Sequence, residues 1–221
     1  HSKEPETIEW IDNFDKKNKI IFWDIGSNIG LYSVYAAATI ENIEVISFEP
    51  STSNLRILSR NISINNLEKK IKIFQLPLGV NKNKFLEFSE RKFNEGESHN
   101  SLDKNINFEG KKLDPMNSYQ VLSTNIDQII DDKILDIPNY IKIDVDGIEH
   151  LILKGGIKLF KNTQISEIQI EINENYSEQF NSVMQIMNEC MFIFKEKKRN
   201  DSKGYYLDHK FSKIYNYYFV R

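Results

Sequence analysis

Five carboxylates of this chain each lie close behind a short apolar segment. They are Asp24, Glu49, Asp144, Asp146 and Glu149. An ionised carboxylate accepts hydrogen bonds from hydroxyl and ammonium groups, and beside a reacting hydroxyl it can act as a general base. These residue types therefore predict a site that binds a ligand carrying such donors and that removes a proton from a hydroxyl group.

The segment Asp24-Ile-Gly-Ser-Asn-Ile-Gly30 combines an acid with two glycines between a predicted strand and a predicted helix. Glycines permit a tight turn and the close approach of a ligand to the backbone. A dinucleotide fingerprint would place a glycine where Asn28 stands, and the Asp24 carboxylate would repel a pyrophosphate. A ligand with an ammonium and a sulfonium fits better, which indicates S-adenosyl-L-methionine. The alternative is that Asp24 caps the turn and the glycines only redirect the chain.

Glu49 follows the second predicted strand and lies 19 residues beyond Gly30. In nucleotide-binding sheets, an acid at an offset of about 20 residues binds ribose hydroxyls. Pro50 cannot donate to a strand ladder and helps to end the strand. We therefore expect Glu49 and Pro50 at the ribose of the cofactor.

The segment Asp144-Val-Asp-Gly-Ile-Glu149 follows a central apolar strand. In open parallel sheets, ligands bind beyond the carboxyl ends of the strands. Asp144 is the first candidate for the general base, and Asp146 and Glu149 are expected to orient the acceptor. Asp144 and Asp146 can also hold a divalent cation, but two acids are few oxygen ligands and no metal is predicted. The alternative for Asp146 and Glu149 is stabilisation of the first turn of the next helix.

Three further side chains are candidates for the same site. His99 lies in Glu97-Ser-His-Asn-Ser101, the densest cluster of hydrogen-bonding side chains in a polar segment, and is the second candidate for the base. Glu171 ends the fifth predicted strand, so it faces either the acceptor or solvent. His150 follows Glu149 and is expected on the surface of a helix.

Alternating strand and helix patterns place these residues in an α/β fold. The predicted core strands are 20–23, 43–48, 71–74, 140–143, 165–172, 191–194 and 214–220, with further strands at 85–88 and 119–123. The main predicted helices are 31–38, 51–65 and 177–190, and a shorter helix or turn spans 125–130. We expect a seven-stranded, mostly parallel sheet with helices on both faces. The last two strands lack a crossover helix between them and should form an antiparallel hairpin at one edge.

The domain organisation is expected to be simple. A chain of 221 residues suits one domain with a large core. Residues 1–19 are expected to form a helical lead-in, because apolar residues recur at helical spacing between Glu4 and Phe14. Residues 20–221 are expected to form a single domain, in which 89–118 is a polar loop or a lid over the ligand.

The composition excludes several classes of protein. The net charge of −3 argues against a nucleic-acid-binding protein, which normally presents a basic face. Cys190 is the only cysteine, which rules out an internal disulfide and a multi-cysteine metal site. No apolar run approaches the ~18 residues of a membrane span. These features are consistent with a cytoplasmic protein that acts without a nucleic-acid partner.

Four motifs together resemble the FkbM-type methyltransferases. They are Asp24-Ile-Gly-Ser-Asn-Ile-Gly30, Phe48-Glu-Pro50, the asparagine-bearing helix that follows, and Lys142-Ile-Asp-Val-Asp-Gly-Ile-Glu149 with Leu153-Lys-Gly155. The resemblance covers about residues 20 to 175 in consistent order. Asp146 stands where the family usually has a glutamate, which shortens the reach of that acid.

The resemblance implies a Rossmann-like class I methyltransferase that uses S-adenosyl-L-methionine to methylate a hydroxyl of a sugar, glycan or secondary metabolite. It implies that Asp144, Asp146 and Glu149 lie by the acceptor. The expected cofactor-binding residues are Asp24, Gly26, Ser27, Asn28, Gly30, Glu49 and Pro50. Two alternatives remain open: a nicotinamide-dependent Rossmann-type reductase, and a non-catalytic cofactor-binding domain of a larger glycan-modifying protein.

Overall fold

The computed structural model describes residues 4–90, 94–96, 100–103, 109–111, 117–199 and 213–221. The helices are α1 (Pro5–Asp12), α2 (Leu31–Thr39), α3 (Thr52–Ile64), α4 (Ile126–Asp131), α5 (Glu149–Lys154), α6 (Ile157–Phe160) and α7 (Ser177–Glu189). The strands are β1 (Ile20–Ile25), β2 (Ile43–Phe48), β3 (Ile71–Phe74), β4 (Lys84–Glu90), β5 (Ser101–Leu102), β6 (Asn117–Ser123), β7 (Tyr140–Ile143), β8 (Glu167–Asn173), β9 (Ile193–Lys198) and β10 (Ile214–Val220).

The larger sheet has seven strands in the order β3-β2-β1-β7-β8-β10-β9. Neighbouring strands from β3 to β8 are parallel, and β10 is antiparallel to both β8 and β9. This confirms the predicted α/β fold and the C-terminal hairpin. The sixth strand begins later than predicted, at Ile193, because Met191 has a φ of 63° and cannot continue a strand.

Helices cover both faces of this sheet, as predicted. Successive residues of a strand point to opposite faces, so Phe22 of β1 packs under α1, α2 and α3, whereas Trp23 packs under α4 to α7. All six residues of β1 are buried. Among the helices in the described part of the chain, none has the length and apolar character to cross a bilayer.

A second sheet of three antiparallel strands has the order β5-β4-β6. Two of its strands, β4 and β6, confirm the strands predicted at 85–88 and 119–123, whereas β5 lies within the segment expected to be a loop. Residues 89–118 were expected to form an irregular loop. This prediction is wrong at both ends of the segment, because β4 runs to Glu90 and β6 begins at Asn117. The reason is tertiary: Leu86, Phe88 and Leu102 of this sheet are buried against Ile148. That partner lies far along the chain, and no local pattern reveals it.

The N-terminal helix α1 packs on the large sheet, and its amphipathic pattern is confirmed. Trp10 lies edge-on to the rings of Phe14, Phe22 and Tyr140, with ring centroids 4.9 to 6.2 Å apart. Its indole N–H donates to a carboxylate oxygen of Glu167 on β8, 3.0 Å away. The helix is therefore attached to the core by both apolar and polar contacts.

We predict that Trp10→Ala lowers the free energy of unfolding by about 3–5 kcal/mol, because the change leaves a void between packed rings. Urea unfolding followed by circular dichroism measures this. Ile64→Ala is the control, since Ile64 is 67% exposed and its loss should cost less than about 0.5 kcal/mol. Equal small losses in both variants would show that α1 is only loosely attached.

Candidate active site

A cavity of about 260 Å³ lies at the carboxyl ends of β1, β2, β3 and β7. Its wall is formed by the glycine loop, the residues after β2 and β3, the acidic loop after β7, and residues between β4 and β6. The polar and backbone contributors include Gly26, Ser27, Asn28, Glu49, Pro50, Asn54, Gly96, Asn100, Lys142, Asp144 and Asp146. The cavity therefore joins most of the residues that the sequence singled out.

The amides of the glycine loop, residues 26–30, all donate to acceptors within the protein. The amides of Gly26 and Ser27 both donate to the Phe48 carbonyl, and the amide of Asn28 donates to the Glu49 carboxylate. The amide of Ile29 donates to the Asn28 side chain, and that of Gly30 donates to the Ser27 carbonyl. All five distances are 2.8 to 3.0 Å. A pyrophosphate site needs amides that point at the ligand. This loop has none to offer, which agrees with the argument against a dinucleotide.

Both glycines of the loop are required by the backbone. Gly26 has a φ of 83°, and a Cβ there would lie 1.8 Å from the carbonyl oxygen of Asp144. Gly30 has a φ of 86° and contacts Leu58, which a Cβ would meet at 2.4 Å. Gly26 lines the cavity, whereas Gly30 begins α2. The first glycine thus holds the loop against the acidic segment after β7.

Asp24 does not line the cavity, in contrast to the prediction that it binds the cofactor. β1 continues to Ile25, so Asp24 lies within the strand and its side chain is fully buried. One of its oxygens accepts a hydrogen bond from the Ser33 hydroxyl at 2.6 Å. Burial raises the pKa of Asp24, although the nearby Lys142 ammonium opposes this. The contact with Ser33 joins β1 to α2, so it is not the cap of the glycine turn that the alternative proposed.

Glu49 lines the cavity at the end of β2, where it is held by the backbone. One carboxylate oxygen accepts from the amide of Asn28 and the other from the amide of Ser51, each at 2.8 Å. Burial raises the pKa of Glu49 to about 7 and outweighs these hydrogen bonds, which favour the charged form. Pro50 follows it in the cavity wall. The carboxylate is thus fixed in position before any ligand arrives.

Asp144 lies in the cavity wall together with Lys142 and Tyr32. The buried Lys142 ammonium is 2.7 Å from a carboxylate oxygen of Asp144 and 5.2 Å from the centre of the Tyr32 ring. Burial tends to lower the pKa of Lys142, but attraction to Asp144, Asp24 and Glu4 leaves it raised. A charged ammonium therefore accompanies the predicted base.

Glu171 approaches Asp144 from β8 but does not line the cavity, so the choice between an acceptor-facing and a solvent-facing side chain stays open. Carboxylate oxygens of Glu4, Asp144 and Glu171 lie within 4.8 Å of one another. Asp146, which the sequence paired with Asp144 as a possible cation site, is not in this group of described residues. Its carboxylate instead accepts from the amide of Asn100, 3.3 Å away.

Asp146 and Asn100 connect the acidic loop to the segment between β4 and β5. Asp146 has a φ of 62°, so it turns the chain rather than capping α5. Gly96 of the same segment donates its amide to the Asn54 side chain at 2.8 Å. Gly96 and Asn100 both line the cavity. These contacts place Gly96 and Asn100 of the predicted lid segment in the cavity wall, and a lid function stays a prediction.

Glu149 does not line the cavity, and the structure places it behind the acidic loop. Its carboxylate accepts from the amides of Val145 at 3.0 Å and Gly147 at 3.1 Å, and from the side chain of Gln179. Burial raises the pKa of Glu149 to about 7. Its contacts fix the shape of the loop that carries Asp144, and a contact of Glu149 with the acceptor stays a prediction.

The two histidine predictions have different outcomes. His99, the second candidate for the base, lies outside the described residues. His150 is buried, in contrast to the expected place on a helix surface. It belongs to α5 and faces the start of α7, where its ring is 5.8 Å from that of Tyr176 and its Nε2 is 3.9 Å from Glu178.

Several residues of the site were missed in the sequence, and Lys142, Tyr32 and Glu4 show why. Lys142 carried a usable signal, because a lysine inside an apolar strand is buried only when it is paired. Tyr32 looked like one more residue of the apolar face of α2. Glu4 had no signal, since only tertiary packing brings it to β7.

A family model described as the methyltransferase FkbM domain matches residues 24–194 of this chain. A search of curated protein sequences finds no match. The matched span includes the glycine loop, Glu49 and the acidic loop after β7.

Several solved structures share the fold at low sequence identity. Methyltransferase FkbM from Methylobacillus flagellatus KT superposes with a TM-score of 0.60 at 15% identity, over 92% of this chain and 44% of that one. A putative rRNA-methylase from Clostridium thermocellum superposes with a TM-score of 0.56 at 10% identity, over 100% of this chain and 97% of that one. M. capricolum TrmK, solved with S-adenosyl-homocysteine, superposes with a TM-score of 0.54 at 11% identity, over 100% of this chain and 69% of that one. This chain therefore spans less than half the length of the first of these proteins.

We predict that Gly26→Ala lowers the free energy of unfolding by about 2 kcal/mol or more and weakens binding of the expected cofactor at least tenfold. The added methyl group clashes with the Asp144 carbonyl and requires a strained φ. Thermal unfolding and titration calorimetry measure the two effects. Gly79→Ala is the control, because a Cβ there would meet its nearest atom at 3.8 Å. Normal binding by Gly26→Ala would contradict the assigned packing.

Proposed function

Because this chain belongs to the FkbM methyltransferase family, we propose that it transfers a methyl group to a hydroxyl oxygen of a small molecule or glycan. The observation that carries the proposal is that one cavity contains both Glu49, suited to a ribose, and Asp144, suited to a hydroxyl proton. The family assignment argues against the nicotinamide-dependent reductase considered above.

S-adenosyl-L-methionine is the cofactor, and the cavity has the chemistry to hold it. The glycine loop approaches the cavity with its amides already bonded, which suits a ligand that has no phosphate. The residues after β3, Leu76, Pro77 and Leu78, give the cavity an apolar wall for a flat base.

Individual residues of the wall have separate proposed roles. Glu49 would hold the ribose hydroxyls, because its carboxylate has lone pairs beyond the two used by backbone amides. Gly26, Ser27 and Asn28 would contact the methionine part through their backbone. Pro50 would pack beside the ribose. Asp24 and Gly30 support this loop from behind instead of contacting the ligand.

When bound, S-adenosyl-L-methionine supplies the methyl group, which the acceptor oxygen takes by in-line displacement as the bond to sulfur breaks. An alcohol is a weak nucleophile until its proton is leaving, so a base is needed. Asp144 would take this proton, and Lys142 would hold the carboxylate in place through the ion pair at 2.7 Å. Glu171, whose carboxylate lies near that of Asp144, would act on the acceptor only through Asp144, because it does not line the cavity.

The acceptor is proposed to be neutral and rich in hydroxyl groups, such as a sugar, glycan or secondary metabolite. The half-buried acids of the site, Asp144 and Asp146, accept hydrogen bonds from such groups and repel phosphate. The chain's net charge of −3 offers no general attraction for nucleic acid. The lid and the segment from Asn173 to Tyr176 would select the acceptor, since Gly110 contacts the Tyr176 ring.

We predict that Asp144→Asn lowers the rate of methyl transfer by about 10²–10⁴-fold, because asparagine cannot take the proton. The assay follows tritium from methyl-labelled S-adenosyl-L-methionine into a panel of sugars, glycans and hydroxylated secondary metabolites. Asp131→Asn, at an exposed surface acid, should be fully active. Binding of the cofactor by the unaltered protein without transfer to any acceptor would support a non-catalytic domain.

We predict that binding of S-adenosyl-L-methionine weakens as the pH falls below about 7. Ribose hydroxyls donate to the ionised form of Glu49, so the bound state has the lower pKa and binding must release a proton below the free pKa of about 7. Affinity should fall by up to about tenfold per pH unit. Titration calorimetry between pH 5.5 and 8.5 measures this.

Glu49→Gln provides the control for this pH dependence. The variant should bind more weakly at pH 8 and show a smaller slope below pH 7. Two other acids could contribute to the pH dependence: Asp146, whose charge raises the pKa of Glu49, and Glu149, whose own pKa is about 7. Both acids are present in the unaltered protein and in Glu49→Gln, so their contribution is the same in both. The difference in slope therefore reports Glu49, and equal slopes would assign the effect to another group.

A further inference from the structure

Glu4 lies at the catalytic end of the cavity although it precedes the family-matched residues 24–194. It is the residue before α1 and is buried. One carboxylate oxygen accepts a hydrogen bond from the Tyr32 hydroxyl at 3.0 Å and from the Thr7 hydroxyl at 3.3 Å. Tyr32 lines the cavity, so Glu4 lies directly behind the cavity wall.

The charge of Glu4 adds to a negative group. Carboxylate oxygens of Glu4, Asp144 and Glu171 lie within 4.8 Å of one another, and Lys142 is the ammonium paired with Asp144. Asp24, which faces Lys142 across the strands, has a buried oxygen with no hydrogen-bond partner among the described residues. In this part of the described structure, carboxyl groups therefore outnumber ammonium groups.

We propose that Glu4 is a specificity-determining residue that makes the cavity favour S-adenosyl-L-methionine over S-adenosyl-L-homocysteine. The inference rests on the function proposed above. The two compounds share their nucleoside, ammonium and carboxylate groups, and they differ in one methyl group and one positive charge at sulfur. A buried carboxylate near that sulfur therefore distinguishes substrate from product, and it favours release of the product after transfer.

Burial makes this discrimination effective. The interaction between two charges is several times stronger near or inside a protein than in water. Glu4 acts through its charge, because it does not line the cavity itself and reaches it only through the hydroxyl of Tyr32. Glu4→Gln is therefore an informative change, since the amide oxygen can still accept the hydrogen bond from Tyr32 while the negative charge is lost.

The test measures binding of both compounds to three proteins by titration calorimetry. Glu4→Gln should weaken the binding of S-adenosyl-L-methionine by about tenfold and change the affinity for S-adenosyl-L-homocysteine by less than about threefold. Glu9→Gln is the matched control, because it removes the same charge five residues further along the chain, in α1, where Glu9 is exposed beside Lys198. Glu9→Gln should leave both affinities unchanged.

The outcomes separate the two proposals. Equal weakening of both compounds by Glu4→Gln would show that Glu4 is only structural, and no change in either would also overturn the inference. Failure of the unaltered protein to bind either compound would contradict the proposed function itself. If Glu4→Gln does not fold, Glu171→Gln removes a charge of the same group from β8 and should lower the same affinity ratio.

Discussion

The approach of Gly26 to the carbonyl of Asp144 is the contact on which the rest of the site depends. β1 and β7 are parallel neighbours, so the loops that follow them leave the sheet side by side. A side chain at position 26 would fill the space between these loops. Because glycine has no side chain, the two loops can touch, and one cavity is bounded by the glycine loop, by Glu49 and by the acidic loop. The position of Asp144 relative to a bound cofactor follows from this contact.

Polar residues cross the large sheet on the face covered by α1 and α2. Ser47, Asp24, Lys142 and Gln169 are directly paired on four adjacent strands. Each lies in a strand that is otherwise apolar, where an unpaired polar group is costly. Residues of the covering segments satisfy these groups: Ser33 donates to Asp24, and Thr7 accepts from Gln169. Glu4, just before α1, provides a charge opposite to that of Lys142. The helices on this face therefore both shield the core and set the electrostatics of the cavity.

The acids of the site divide into groups that face the ligand and groups that support them. Glu49, Asp144 and Asp146 lie in the cavity wall, whereas Asp24 and Glu149 are buried behind it. Sequence spacing located all five near one sheet edge but did not separate the two roles. A shift of one or two residues in the end of a strand decides the role, because successive side chains point to opposite faces. β1 extends two residues beyond the predicted end, which buries Asp24.

The sequence by itself determined the alternation of strands and helices, the parallel sheet with its terminal hairpin, and the loops that carry Gly26, Glu49 and Asp144. These features follow from local periodicity, glycine positions and the topology that short connections allow. Only the tertiary structure decided the pairing of β4 with β5 and β6 into a sheet beside the cavity, the burial of Lys142 beside Asp144 and the position of Glu4 behind Tyr32. Each of these depends on contacts between residues distant in the chain, and the energy of such contacts leaves no periodic signal in the segments that make them.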